Sequence, residues 1–301
     1  MRVLVTGSSG FLGWHLVRHL ERMGAEVHGT YVLNRPAFER AEVHRLDIRE
    51  AGECEALLAR LSPSHLVHTA AMSQTADCER DPAMARAINV QGTANLLAAA
   101  SRVGDAPPHF VHVSTDLVFD GKWSDYDETA APNPIQVYGD TKLQAEELVI
   151  ESKLTWAILR SALIFGAESP FHSSFLQWML KLLRRESSGK LFVDEYRSPV
   201  WVEDLCHAIH LVGSQMVSGL YHCSGTQRLS RWEFGRLVGQ VYGLGVDESL
   251  KGTRAQSGLE STRPADVSLN SSNLANAVGW RATDCESALR QIASGKSEAG
   301  Y

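Results

Sequence analysis

The segment Gly7-Ser8-Ser9-Gly10-Phe11-Leu12-Gly13 constrains this chain more than any other stretch. It follows a β-branched run, Val3 to Thr6, and leads into Leu12, Leu16, Val17, Leu20 and Met23 at helical spacing, which places it in a tight turn between a strand and a helix. Glycine admits positive φ and close backbone approach, and a helix start offers free N–H groups and the positive end of its dipole. A pyrophosphate suits that arrangement, although the spacing departs by one residue from the GxGxxG fingerprint. The competing reading is a glycine-rich packing turn with no ligand. The order of strand, glycines and amphipathic helix predicts a dinucleotide site, with Gly7, Ser9, Gly10, Phe11, Leu12 and Gly13 facing the cofactor.

Further short apolar runs predict strands at Val27 to Thr30, Val43 to Leu46, His65 to Thr69, His109 to Ser114 and Thr155 to Leu159. Helix candidates lie between them at Ala56 to Leu61, Pro82 to Arg102 and Tyr138 to Ser152. This alternation predicts an α/β fold of Rossmann type, a mostly parallel sheet with helices on both faces. Beyond residue 160 the regularity decays into helices near Phe171 to Arg185, Val202 to Val212 and Trp232 to Tyr242, with short strands at Leu191 to Val193 and Leu220 to Cys223. The expected division is a nucleotide-binding core over 1–160, completed by parts of 190–224, and a smaller carboxy-terminal substrate lobe from 161–189 and 225–295. Residues 295–301 are expected to fray.

Composition narrows the function classes. The 35 acidic and 29 basic side chains give a net charge of -6 with no long basic block, which disfavours a nucleic-acid or anionic-membrane partner. The five cysteines are scattered, without CxxC or zinc-finger spacing, so thiols in a reducing compartment and no bound metal are expected. The apolar run at the start is too short for a signal peptide or a membrane span, which points to a cytoplasmic protein.

The residues with chemistry lie later. Tyr138 and Lys142 are four apart at a helix start and share one face. A phenol normally titrates near about 10, and a neighbouring ammonium would favour its ionised form. The pair would then serve as a general acid/base protonating a carbonyl oxygen as hydride reaches its carbon. Thr115, at the end of the fifth strand, is the candidate hydroxyl for polarising that carbonyl, with Ser114 in reserve. A surface Tyr/Lys pair is the bland alternative. Thr30 to Asn34 contains no acid, and Arg35 follows, an arrangement that suits the 2'-phosphate of NADPH better than NADH; Arg35 as a solvated loop residue is the alternative. Asp47, with Ile48, is placed to meet the adenine, unless Asp47 only caps the next helix.

These residues bring a family into view. With GSSGFLG, His68-Thr69-Ala70-Ala71, Ile88-Asn89-Val90, Val113 to Gly121 and Val137 to Glu146, the chain resembles the extended short-chain dehydrogenase/reductases, most closely their dTDP-4-dehydrorhamnose reductase branch. The likeness continues through Asp194 with Pro199, Val202 to Leu205 and Arg263-Pro264. It implies reduction of the C4 keto group of a nucleotide-linked 4-keto-6-deoxysugar. Tyr138 would be proton donor, Thr115 would hold the oxygen, and Lys142 would position the cofactor. It also implies that Ala70 and Ala71 line the cofactor channel, that Asn89 supports the site, and that Gln74, Asp116, Arg197 and the stretch Ser161 to Phe165 border the sugar or nicotinamide. Two departures stand out. His68 replaces the branch's usual asparagine, and Asp194 to Val200 matches its Asp-Gln-x-Gly-x-Pro-Thr pattern imperfectly.

The same superfamily includes 4,6-dehydratases, whose Asp-Glu pair after the threonine is absent here, since Leu117 follows Asp116. A 4-epimerase and a non-catalytic subunit resembling the methionine adenosyltransferase beta subunit stay open as alternatives, as does a homodimer.

Overall fold

Every hydrogen-bonded neighbour in the main sheet is parallel. The computed structural model describes residues 1–104 and 106–295, so all but one residue of the tail expected to fray lie outside the described residues. Within it, β1 (Arg2–Thr6), β2 (Glu26–Tyr31), β3 (Glu42–Arg45), β4 (His65–His68), β5 (His109–Thr115) and β6 (Trp156–Ser161) follow one another in sequence. Their crossovers carry α1 (Phe11–Arg22), α2 (Ala51–Leu61), α3 (Thr75–Arg80), α4 (Pro82–Arg86), α5 (Gly92–Ala100) and α6 (Val137–Glu151).

Beyond β6 come β7 (Ile164–Phe165), α7 (Phe175–Leu183), β8 (Leu191–Phe192), β9 (Tyr196–Arg197), β10 (Val200–Trp201), α8 (Val202–Ser214), β11 (Gly219–Cys223), β12 (Leu229–Ser230) and α9 (Arg231–Tyr242). The seven-stranded sheet has the order β11-β6-β5-β4-β1-β2-β3. The strand order reverses between β1 and β4, and open α/β sheets bind ligands at the carboxyl ends beside such a switch point.

Period-two alternation explains why both faces are covered. Val3, Val5, Val67, Val111 and Leu159 point to one face, where Leu16, Val17, Leu205 and Ile209 of α1 and α8 meet them. Leu4, Leu66, Phe110 and Ile158 point to the other, against Leu57, Leu58, Leu96 and Val149 of α2, α5 and α6. Each such side chain contributes about 1.5–3 kcal/mol on burial. Met179 and Leu183 of α7 and Phe234 and Val238 of α9 join the first of these clusters, which ties the later elements to the sheet. Among the described residues, no helix is long and apolar enough to cross a membrane.

Two helices differ from their expected spans. The segment 82–102 is not one α-helix: α4 and α5 flank a π-helical turn over Ala87–Gln91. A π-turn inserts a residue into the helical repeat and is often found at functional sites. Here it carries Asn89, whose side chain bonds outside the helix. The helix expected over 171–185 begins instead at Phe175, because Ser174 and Gln177 close a capping box there.

Candidate active site

The glycine turn is built by close approach. Gly7 has φ +73°, and a Cβ there would lie 2.8 Å from Ala70 Cα. A Cβ at Gly13 would meet the Gly7 carbonyl oxygen at 2.2 Å. Only hydrogen fits at either position, so the start of α1 folds onto its own turn and against the end of β4. Gly7 N–H donates to Thr30 Oγ1 and the Ser8 hydroxyl to Thr30 O, which fixes the turn to β2. No side chain caps α1 at Gly10. This is the backbone cradle that a pyrophosphate requires.

A cavity of about 720 Å³ runs from this turn along the carboxyl ends of the strands. Gly7, Ser9, Gly10, Phe11, Leu12 and Gly13 line it at the turn, with Asp47, Ile48 and Arg49 toward one end. Ala70, Ala71 and Gln74 line it after β4, and Tyr138, Lys142, Ser161 and Ile164 also border it. The cavity therefore has room and donors for a dinucleotide.

Not every expected residue reaches this cavity. Arg35 is exposed, beyond a bend at 32–34, and is not among its lining residues, whereas Arg49 is. The Arg49 guanidinium pairs with both Asp47 oxygens, at 2.5 Å for the shortest contact. That pairing holds the Asp47 carboxyl below its usual range. Asp47 does not cap α2, whose N-cap is Glu50. Asn89, 1% exposed, also lies behind the wall. It accepts from Met72 N–H and donates to Met72 O and Thr141 Oγ1, so it fixes the turn after β4 against α6 instead of touching the cleft.

Thr115, at the end of β5, and Tyr138, at the start of α6, are close enough for the Thr115 side chain to act on the Tyr138 phenol. The Thr115 hydroxyl also donates to Asp116 Oδ1 and accepts from Leu117 N–H. Ser114 is not available for this role, because its hydroxyl is bonded to Glu146, which is in turn paired with Arg160 at 2.7 Å inside the protein. Burial, and then the Asp116 carboxylate, push the Tyr138 phenol above its ordinary value, with the Thr115 side chain opposing them. The lowered pKa expected from Lys142 is thus not found. Lys142 Nζ instead donates to His112 Nε2 at 3.0 Å. Burial lowers this lysine to about 8, against the pull of Glu146.

Histidines form the floor behind it, a feature that motif spacing did not reveal. Thr93 gives its hydroxyl proton to Asn89 O, so it accepts from His68 Nε2–H; His68 Nδ1 then accepts from Thr6 Oγ1. Thr6 Oγ1 in turn receives the N–H groups of Thr69 and Ala70. His68 therefore links β1, the turn after β4 and α5 from one buried position. Burial holds it near 3, with the Lys142 charge as second cause, so it is neutral. The alternation that puts Ser114 against α6 also puts His112 there, and this was the available signal for the Lys142 partner.

Arg197 is buried, with Nη1 3.8 Å from Asp116 Oδ2 and Nη2 3.4 Å from Glu195 Oε1. Glu195 also holds Arg231 at 2.8 Å and Arg263 at 3.1 Å. These arginines keep Glu195 near 2 despite its burial. Asp116 Oδ2 and Arg197 Nη1 have no hydrogen-bond partner in this structure. Burial raises the Asp116 carboxyl, with Arg197 opposing.

The chain is 31% identical over 240 residues to the dTDP-4-dehydrorhamnose reductase of Burkholderia thailandensis, covering 76% of this chain and 74% of that protein. It is 28% identical to methionine adenosyltransferase 2 subunit beta of Xenopus tropicalis, over 81% of this chain and 72% of the relative. The crystal structure of dTDP-4-dehydrorhamnose reductase from Bacillus anthracis, in complex with NADP, superposes with a TM-score of 0.85 at 25% identity, covering 98% of this chain and 99% of that one. The model of the RmlD substrate binding domain matches residues 1–296, and the chain belongs to that family.

Proposed function

We propose that this protein reduces the C4 keto group of a nucleotide-linked 4-keto-6-deoxysugar, with dTDP-4-dehydro-L-rhamnose as substrate and NADPH as cofactor, NADH being the alternative. The observation that carries the reading is Thr115, at the end of β5, beside Tyr138, which together with buried Lys142 lines the cleft that begins at the glycine turn. When bound, the nicotinamide supplies the hydride. Tyr138 gives its proton to the carbonyl oxygen as that oxygen becomes an alkoxide, and Thr115 holds the oxygen by hydrogen bonding. A phenol raised by burial keeps its proton until a stronger base develops in front of it, which suits a donor in a reduction. Lys142 lines the cleft beside Tyr138 and would hold the cofactor ribose, and the buried Asp116–Arg197 pair stands next to Thr115.

The test is a panel of dTDP-, UDP- and GDP-linked 4-keto-6-deoxysugars with NADPH and NADH, with product stereochemistry at C4 determined. Stoichiometric NADPH oxidation with the dTDP-keto sugar is expected. A redox-neutral interconversion would replace the reading by a 4-epimerase. The likeness to the methionine adenosyltransferase subunit supports a second reading, a regulatory chain. It predicts no turnover with any keto sugar and co-purification with a synthetase.

A further inference from the structure

We propose that His28, Glu42 and His44 form a binding site for a divalent transition ion of the zinc class, at the edge of the sheet and outside the nucleotide cleft. β2 and β3 pair in parallel with His28 opposite Glu42 and Thr30 opposite His44. Glu42 and His44 are two apart on β3 and so share a face. One ligand atom from each of the three residues lies within 4.8 Å of the others. His28 Nδ1 is 3.2 Å from His44 Nε2 and 3.8 Å from Glu42 Oε2. Ligands held about 2.0–2.1 Å from a tetrahedral zinc stand about 3.3–3.4 Å apart. These two separations fall on either side of that edge length and the third lies within 4.8 Å, so ion binding draws the Glu42 and His44 side chains together.

The surroundings favour one ligand tautomer directly. His28 Nε2 faces Glu26 Oε1 at 3.5 Å, and Glu26 is held by Arg2 at 2.8 Å. A carboxylate on the far ring nitrogen keeps the proton there and leaves the Nδ1 lone pair for the metal. His44 needs a rearrangement. Its Nδ1 accepts from Arg60 at 3.2 Å, so its Nε2 carries the proton and donates to His28 Nδ1. Ion binding transfers that proton to Nδ1 and turns the exposed Arg60 guanidinium toward water, with no net proton released. The Glu42 side chain is 73% exposed, which leaves the fourth position open to a water ligand. A bound ion would pin the edge strand β3 to β2, just before Tyr31, Leu46 and Asp47 enter the cleft wall.

The experiment titrates metal-stripped full-length protein with zinc chloride by calorimetry and with cobalt(II) chloride by visible absorption. One ion per chain, tetrahedral cobalt bands and a raised Tm with zinc are expected. His28→Gln and His44→Gln should each abolish the cobalt spectrum, and Glu26→Gln, which keeps all three ligands, should weaken zinc binding about 10- to 100-fold. Glu42→Gln, at an exposed position, tests the same site should a histidine variant fail to fold. Absence of saturable one-to-one binding, or zinc affinity unchanged in Glu26→Gln and in the ligand variants, would overturn the proposal.

Discussion

At Tyr138 the decisive influence is burial. The phenol is raised by desolvation and by Asp116, and only the Thr115 side chain works in the other direction. Tyr138→Phe removes the proton donor without emptying the space, so turnover should fall about 10²- to 10⁴-fold while NADPH binding persists. Steady-state kinetics and fluorescence titration check this, and normal turnover would remove Tyr138 from the mechanism. Lys142 depends on His112, whose Nε2 accepts a hydrogen bond from the lysine Nζ inside the protein. His112→Leu leaves the ammonium without that acceptor, disfavours the charged form and should move the lysine further below about 8. The alkaline limb of kcat/KM against pH should then shift downward, whereas His112→Gln, which keeps an acceptor, should stay near the parent profile. Identical profiles for both variants would show that His112 only fills space.

Among the elements, the π-turn between α4 and α5 has the least expected role. It lets Asn89 leave the helix and satisfy both backbone groups of Met72. Asn89→Leu leaves the half-buried Met72 N–H without its partner and should cost about 1–3 kcal/mol in urea unfolding. Because Met72 follows Ala70 and Ala71 along the cleft wall, KM for NADPH should rise with it. The start of α1 is equally sensitive. At Gly13 an added methyl group collides with the Gly7 carbonyl, so Gly13→Ala should lower nucleotide affinity more than it lowers stability, as measured by calorimetry and thermal unfolding.

Across the whole molecule, acid sensitivity comes from histidines buried in the neutral form. His19, His109 and His222 are lowered to about 4 and His68 to about 3, chiefly by burial. The unfolded chain binds protons at these sites near pH 6.5 and the folded one does not. Their contribution is therefore fully present above about pH 6.5 and is lost as pH falls through the folded values, at about 1.4 kcal/mol per pH unit for each histidine. Tm should decline steadily between pH 7 and 5. Glu195, held near 2, adds its own loss only below the normal carboxylate range. A Tm constant from pH 7 to 5 would contradict the neutral burial of these side chains.

The parallel sheet and the glycine turn were legible in the sequence because both depend on neighbours in the chain. Alternating Val and Leu select faces, and Gly7 to Gly13 can pass only through a conformation that other residues resist. The order Thr115, Tyr138, Lys142 was legible for the same reason, as a strand end followed by one helix face. Long-range packing decided the rest. Arg49 and not Arg35 meets the cleft because the chain bends after β2, and Ser114 is held by Glu146 and Arg160 from two other elements. His68, His112 and the arginines around Glu195 gain their roles from partners distant in sequence. Local spacing records which residues share a turn or a face, but hydrogen bonds across elements, and the desolvation that shifts their protons, exist only once the elements are packed together.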